Sequence, residues 1–343
     1  MVKPLFRQSF LYDALMPEED IHSGQVQLTS GVVVHILGRG VVEVIPAKVT
    51  AETKHILLSA GIHGDETAPM ELLDNVLADI LNESVPVMEH CLFVLCHPEA
   101  AARHVRYLDE NLNRLFDERD REETRETRIA MTLKAIVQGF FESTEASQRW
   151  HLDMHTAIRR SHHTTFAVSP KVKKPVTRSR ELISFLQKGA VEAVLLANAP
   201  ANTFSWFSAE YFDAQALTVE LGQVAPLGEN DHTRLLPFES ALKALIAGQL
   251  DELDEKPIVT YRVTQTIKRI NEDFGFNFSD DIENFTEFEH GQVLGHDGEK
   301  LLFAKSDNEA IVFPNDNVTI GHRAALMVCK VETRYEDDQL VYD

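Results

Sequence analysis

His63 and Glu66 stand three residues apart in Ser59-Ala-Gly-Ile-His-Gly-Asp-Glu66, and His155 closes the run Trp150-His-Leu-Asp-Met-His155. An imidazole nitrogen and a carboxylate oxygen are both good ligands for Zn²⁺. Two histidines plus one glutamate form a set that leaves a fourth position open for water. A tight turn can aim His63 and Glu66 at one point, but a third ligand must come from elsewhere in the chain. His155 supplies it. The three-residue spacing alone is also what a capped helix start would show. The second strand-end histidine is what favours a metal.

The elements that must position these side chains follow from hydrophobic periodicity. Ile56, Leu57 and Leu58 form a short apolar run ended by Ser59-Ala-Gly61, which reads as a buried strand of an α/β sheet. Leu72, Leu73, Val76, Leu77, Ile80 and Leu81 fall at helical spacing. His63 and Glu66 thus lie between a strand end and a helix start, where open α/β sheets place their ligands. Leu152 and Met154 alternate with Asp153 and His155, so Asp153 and His155 share one face of a strand. Residues 216–219 form another strand, and it ends on Glu220, a third strand end presenting a polar group.

The remaining pattern is consistent with the same fold class. Residues 91–96, 165–168 and 193–196 read as strands, and 122–141, 181–188 and 238–247 as helices. Near the N-terminus, residues 32–36 and 41–45 read as a hairpin around Gly38-Arg-Gly40. That turn begins like a dinucleotide fingerprint, but Glu43 stands where the third glycine belongs. His97-Pro-Glu99 has the H-x-E of zinc deaminases without its P-C-x-x-C partner, so that chemistry is set aside. The segment from Arg103 to Arg114 is an Arg- and Asn-rich loop. The charged stretch 117–128 reads as a solvated face, and His162-His163 as an exposed loop.

Composition narrows the function classes. A chain of 343 residues suggests two domains. No apolar run is long enough to span a bilayer, and Met1-Val-Lys-Pro-Leu-Phe-Arg7 has no signal-peptide core. Cys91, Cys96 and Cys329 are an odd count without a CxxC, which points to a reducing cytoplasm. A formal net charge of −21 argues against nucleic acid as a partner. For an anionic substrate, clustered arginines must reverse that field locally. Asp251-Glu-Leu-Asp-Glu-Lys-Pro257 reads as a boundary, giving a catalytic domain over 1–250 and a β domain over 257–343. In the latter, Val259, Tyr261 and Val263 alternate with polar residues and short apolar runs sit between turns. No catalytic constellation is visible there. Its expected role is to cover the cleft or to form a subunit contact in a homo-oligomer.

Taken together, His63-x-x-Glu66, His155 and Glu220 resemble the zinc carboxypeptidase superfamily, and more closely its aspartoacylase and succinylglutamate desuccinylase branch. The stretches that carry the resemblance are 59–69, Trp150-His-Leu-Asp-Met-His-Thr-Ala-Ile-Arg159 and Thr218-Val-Glu-Leu-Gly222. Gly228-Glu-Asn-Asp231 and Phe313-Pro-Asn315 with Gly321 add to it. It covers nearly the whole chain. The fold it implies is a zinc-carboxypeptidase-like mixed α/β sheet flanked by helices, plus a small C-terminal all-β domain. Within the branch, the His-Thr-Ala-Ile-Arg run and the Leu-Gly after Glu220 lie nearer to the desuccinylases than to the aspartoacylases.

The resemblance implies one Zn²⁺ per subunit on His63, Glu66 and His155. It implies Glu220 as general base and Arg106 as the cation at the carbonyl oxygen. Asn113 and Arg114 would grip a carboxylate of a glutamate moiety, which suits the planar fork of arginine. The implied reaction is hydrolysis of N-succinyl-L-glutamate to succinate and L-glutamate, in arginine degradation by the succinyltransferase route. The rivals are an aspartoacylase or other N-acyl-amino-acid deacylase, a metallocarboxypeptidase, and a metal-binding scaffold without catalysis. Arg159 and Arg160 follow His155 and are either succinyl-binding groups or a solvated loop pair. Asp153 is expected to orient an imidazole. Two positions depart from the family pattern. Asp65 replaces a common Asn. Asn111 replaces an Asp expected to orient a zinc histidine, with Asp109 or Glu110 as substitutes.

Overall fold

The computed structural model describes residues 5–17, 23–174 and 178–342, so the N-terminal stretch inspected for a leader is described only from Leu5 onward. The chain opens with helix α1 (Phe10–Leu15) and an antiparallel meander of β1 (Gly24–Gln27), β2 (Val33–Gly38) and β3 (Val41–Ile45). Then come β4 (His55–Ala60), α2 (Ala68–Leu81), β5 (His90–Leu95), α3 (Pro98–Ala102), α4 (Arg125–Phe141) and β6 (Arg149–Ala157). The next run is β7 (Thr165–Ser169), α5 (Arg180–Lys188), β8 (Ala193–Leu196), α6 (Phe204–Phe212), β9 (Gln215–Gln223) and α7 (Leu236–Ile246).

These strands share one sheet in the order β1-β2-β3-β5-β4-β6-β9-β7-β8. The centre, β5-β4-β6-β9, is parallel, while β3 and β7 join it antiparallel, so the sheet is mixed. The chain moves from β4 to β5 on one side, then returns through β6 on the other. That makes the carboxyl ends of β4 and β6 a topological switch point, the crevice where such sheets bind ligands. Both faces of the sheet are covered. Leu72, Leu73, Val76, Leu77 and Ile80 of α2 pack on one face with residues of α5 and α7. Leu133, Val137 and Phe141 of α4 pack on the other with Phe204, Trp206 and Phe207 of α6. Burial on both faces explains why β4 and β5 read as continuous apolar runs rather than alternating ones.

The sheet does not end at the charged boundary. β10 (Val259–Lys268) pairs parallel with β8, and the order continues through β16 (Arg323–Lys330), β15 (Glu309–Val312) and β12 (Thr286–Phe288). A second small sheet is built from β11 (Phe274–Phe276), β13 (Val293–Asp297) and β14 (Lys300–Phe303). A shared core of Phe166, Ala193 and Leu195 with Tyr261, Phe285, Val312 and Val328 joins the two halves. The hairpin β17 (Thr333–Glu336) and β18 (Gln339–Tyr342) then folds back, with Leu340 N donating to Arg178 O at 2.9 Å.

Three helices lie outside the sequence reading: α1, α6 and the five-residue α3. α1 is six residues long, too short to show periodicity. α6 buries Phe204 through Ala209 on nearly every side, so it carries no polar stripe to mark it. Two loop expectations also need correcting. Glu126, inside the stretch read as solvated, is fully buried. His163 is half-buried, with its ring 4.7 Å from that of Phe285 and its Nε2 2.9 Å from Tyr261 Oη.

Candidate active site

The β4–α2 turn delivers His63 and Glu66 to the switch point, and β6 delivers His155. One donor atom from each lies within 4.8 Å of the others, and all three side chains are buried. His63 Nδ1 is 2.8 Å from Glu66 Oε1, and His155 Nδ1 is 2.8 Å from Glu66 Oε2. Gly64 is what lets this turn lie directly against α3. A Cβ there would sit 2.3 Å from the backbone of Ala100 and Ala101.

The outer imidazole nitrogens are held from behind. His63 Nε2 donates to Asn111 Oδ1 at 3.1 Å, and the same amide oxygen accepts Asn113 N. The substitutes considered for Asn111 face away: Asp109 accepts Arg125 N, and Glu110 accepts Thr124 Oγ1. His155 Nε2 lies 3.1 Å from Asp153 Oδ2, and Asp153 Oδ1 accepts Ser59 Oγ at 2.6 Å. That chain runs on through His151 to Ser208 of α6. Outer partners of this kind fix ring orientation and tune ligand basicity. Both histidines thus present Nδ1 inward, toward the Glu66 carboxylate. Among the described residues the donor set fits a small divalent ion: two imidazoles and a carboxylate, converging and oriented from outside.

Electrostatics sharpen the picture. Burial alone would push the Glu66 carboxyl up, but His63 and His155 more than reverse this and hold it well below the usual carboxylate range. Burial pushes His63 down. It opposes His155 too, yet Asp153 and Glu66 raise that imidazole well above its ordinary value. On β9, Glu220 is the register partner of His155, so both side chains leave the sheet on the same face. Its Oε2 is buried with no hydrogen-bond partner. Burial first, then Glu66 and Asp153, push its carboxyl up to about 7, against the pull of His155 and Arg106. A buried, unpartnered carboxylate with such a value beside a metal-type cluster is a strong candidate for proton transfer.

The loop after α3 brings up the cations. Arg106 Nη1 donates to Glu66 Oε1 at 2.8 Å, so this arginine reaches the donor cluster directly. Asn113 is buried, with its Nδ2 3.5 Å from His155 Nε2 and its Oδ1 accepting Phe204 N. Arg114 Nη1 donates to Asn113 O at 2.7 Å, and burial pushes its guanidinium down to about 9, with Arg323 and Arg106 adding to the effect. Buried Glu126 fixes this loop. It accepts Leu108 N at 2.7 Å and Asp109 N at 3.1 Å, and His97 Nε2 lies 3.1 Å from it. Arg159 has its Nη1 buried without a hydrogen bond, whereas Arg160 turns out to Glu283 at 3.4 Å. Sequence reasoning missed Glu126 and Arg323. A histidine before a proline and a glutamate in a capped helix start, far apart in sequence, gave no signal of contact.

Family profiles match both halves of the chain. The succinylglutamate desuccinylase/aspartoacylase catalytic domain matches residues 52–246, and the AstE/AspA barrel-sandwich hybrid domain matches residues 256–331. The chain belongs to the succinylglutamate desuccinylase/aspartoacylase family. Its relatives include a protein named succinylglutamate desuccinylase from Vibrio campbellii, 56% identical over 343 residues and all of both chains. The crystal structure of succinylglutamate desuccinylase from Vibrio cholerae superposes with a TM-score of 0.97 at 55% identity, over 99% of this chain and 100% of the other. That from Chromobacterium violaceum gives 0.80 at 31% identity, over 94% and 98%. The expected mixed sheet with flanking helices and a C-terminal β region agrees with these likenesses. Among the described residues no helix is long and apolar enough to cross a membrane.

Proposed function

We propose that this chain is a zinc-dependent amidohydrolase that converts N-succinyl-L-glutamate and water to succinate and L-glutamate, in the cytoplasm, within arginine degradation by the succinyltransferase route. The observation that carries the amidohydrolase reading is the unpartnered Glu220 carboxyl, raised to about 7, beside the converging His63, Glu66 and His155. The choice of acyl group is supported by full-length likeness to proteins bearing the desuccinylase name.

His63, Glu66 and His155 would hold the Zn²⁺. The bound ion would supply Lewis-acid polarisation and acidify water. Glu220, ionised, takes a proton from the attacking water as the new C–O bond forms, and delivers it to the amine nitrogen as the C–N bond breaks. Arg106, already at the donor cluster, offsets the negative charge that develops on the carbonyl oxygen. Asn113 and Arg114 hold a carboxylate of the glutamate moiety, and the buried Nη1 of Arg159 is available to another. Asp153 and Asn111 keep the two imidazoles in one tautomer, with Nδ1 inward.

A substrate panel tests this. Zinc-loaded protein should hydrolyse N-succinyl-L-glutamate in preference to N-acetyl-L-glutamate and N-acetyl-L-aspartate, and lose turnover with a chelator. Preference for N-acetyl-L-aspartate would replace the reading with an aspartoacylase-like one. Cleavage of blocked dipeptides would indicate a carboxypeptidase. Metal binding without any turnover would leave a scaffold.

A further inference from the structure

We propose that Arg323, supplied by the C-terminal β half, binds a carboxylate of the substrate together with Arg114, so that the β half takes part in substrate recognition. This rests on the reading of the substrate as an N-acyl amino acid with several carboxylates.

Three observations lead to Arg323. The first is its company. It opens β16, and its guanidinium lies 5.3 Å over the ring of Phe313. It is near enough to Arg114 to disfavour that residue's charge, and near enough to Glu220 to be attracted by it. Burial disfavours its own charge as well. Two half-buried guanidiniums within each other's field are unfavourable until an anion joins them. A carboxylate, with two oxygens matched to the planar fork, is the complementary group.

The second is the missing counter-charge. Arg160 pairs with Glu283, and Arg106 with Glu66. Among the described residues, Arg114, Arg159 and Arg323 have no carboxylate within ion-pairing distance, in a chain of net charge −21. N-Succinylglutamate brings three carboxylates.

The third is the bracing. Phe313 is held at a φ of +56°, a left-handed conformation that a non-glycine residue keeps only where its surroundings impose it. Its N donates to buried Asn284 Oδ1 at 2.8 Å, and Asn284 N donates to Arg160 O at 2.9 Å. Asn284 thus clasps the Arg159 loop to the Phe313 turn. The Phe313 ring also lies 5.5 Å from Phe166, the register partner of Glu220. Asn315 N donates to Ala324 O, fixing the strand start behind Arg323. The Phe313-Pro-Asn315 and Gly321 segment is a platform that holds one guanidinium over the Phe313 ring, beside the strand that pairs with Glu220.

The test compares wild type, Arg323→Gln and Arg323→Lys, zinc-loaded, on N-succinyl-L-glutamate and on analogues lacking one carboxylate each: N-acetyl-L-glutamate, N-succinyl-L-glutamine and N-succinyl-γ-aminobutyrate. Losing a charged hydrogen-bonded pair should raise KM for the full substrate roughly 10- to 100-fold, with kcat little changed and partial rescue by lysine. For the analogue that lacks the partnered carboxylate, the KM ratio of variant to wild type should fall to near one. An unchanged KM on the full substrate, or one ratio shared by all analogues, would overturn the assignment. Wild type without turnover would instead refute the substrate reading. Arg323 is then decided by whether succinate or L-glutamate raises the unfolding midpoint less in Arg323→Gln than in wild type; equal shifts overturn it.

Discussion

Glu220→Gln separates what the proposed base does for catalysis from what it costs the fold. In the metal-free protein, burial raises this carboxyl from its ordinary 4.5 to about 7. The folded state therefore binds the proton more tightly than the unfolded chain. Its contribution is fully present below about pH 4.5, is lost as pH rises through about 7, and leaves an ionised carboxylate in a desolvated site above that. At about 1.4 kcal/mol per pH unit of displacement, the penalty reaches on the order of 3 kcal/mol by pH 8. Glutamine cannot ionise and escapes it. Urea unfolding of metal-free wild type and Glu220→Gln, from pH 5 to 8.5, should show a stability gap that grows with pH in favour of the variant. Zinc loading should shrink the gap, because a nearby dication favours the ionised form. The variant should keep its zinc and lose most turnover. In zinc-loaded wild type, kcat/KM should rise with pH along an acid limb below 7, as an ionised base requires. A gap independent of pH would refute the claim that desolvation poises Glu220.

Asn111 accepts from His63 without charge. Asn111→Asp should raise ligand basicity and tighten zinc on the order of 10-fold in a chelator competition; unchanged affinity would show that the acceptor's charge is immaterial. Glu126 holds Leu108 N and Asp109 N and thereby the loop carrying Arg106, Asn113 and Arg114. Glu126→Ala should lower the unfolding midpoint, with roughly 1–3 kcal/mol lost for each donor left unsatisfied, and should raise KM although residue 126 touches no substrate; a KM equal to wild type would mean that the loop holds itself.

Local pattern was enough to specify the central elements. The apolar run 56–58, the helical spacing after Glu66 and the alternation around Asp153 fixed two strand ends and placed His63, Glu66 and His155 on them. Each of those features is set by residues a few positions apart, and β4, α2 and β6 follow from them. Asp153 as the partner of His155 was legible for the same reason, since residues two apart on a strand share a face. What depends on distant packing was not legible. Glu126 and His97 meet across 29 residues, and a charged helix start looks the same in sequence whether solvent or a loop backbone faces it. α6 escaped because a helix buried on most sides has no polar stripe.

The charged segment 251–257 looks like the end of a unit, yet β8 hydrogen-bonds to β10 across it and the sheet continues. Residue types and spacing determined which side chains would converge as the His63, Glu66 and His155 donor group, because strand and turn geometry are local. The tertiary structure alone decided that Glu220 stands unpartnered beside His155, and that Arg323, more than one hundred residues further on, comes within electrostatic reach of both Glu220 and Arg114. Desolvation and long-range charge arise from the summed surroundings of a group, which no short window of sequence contains.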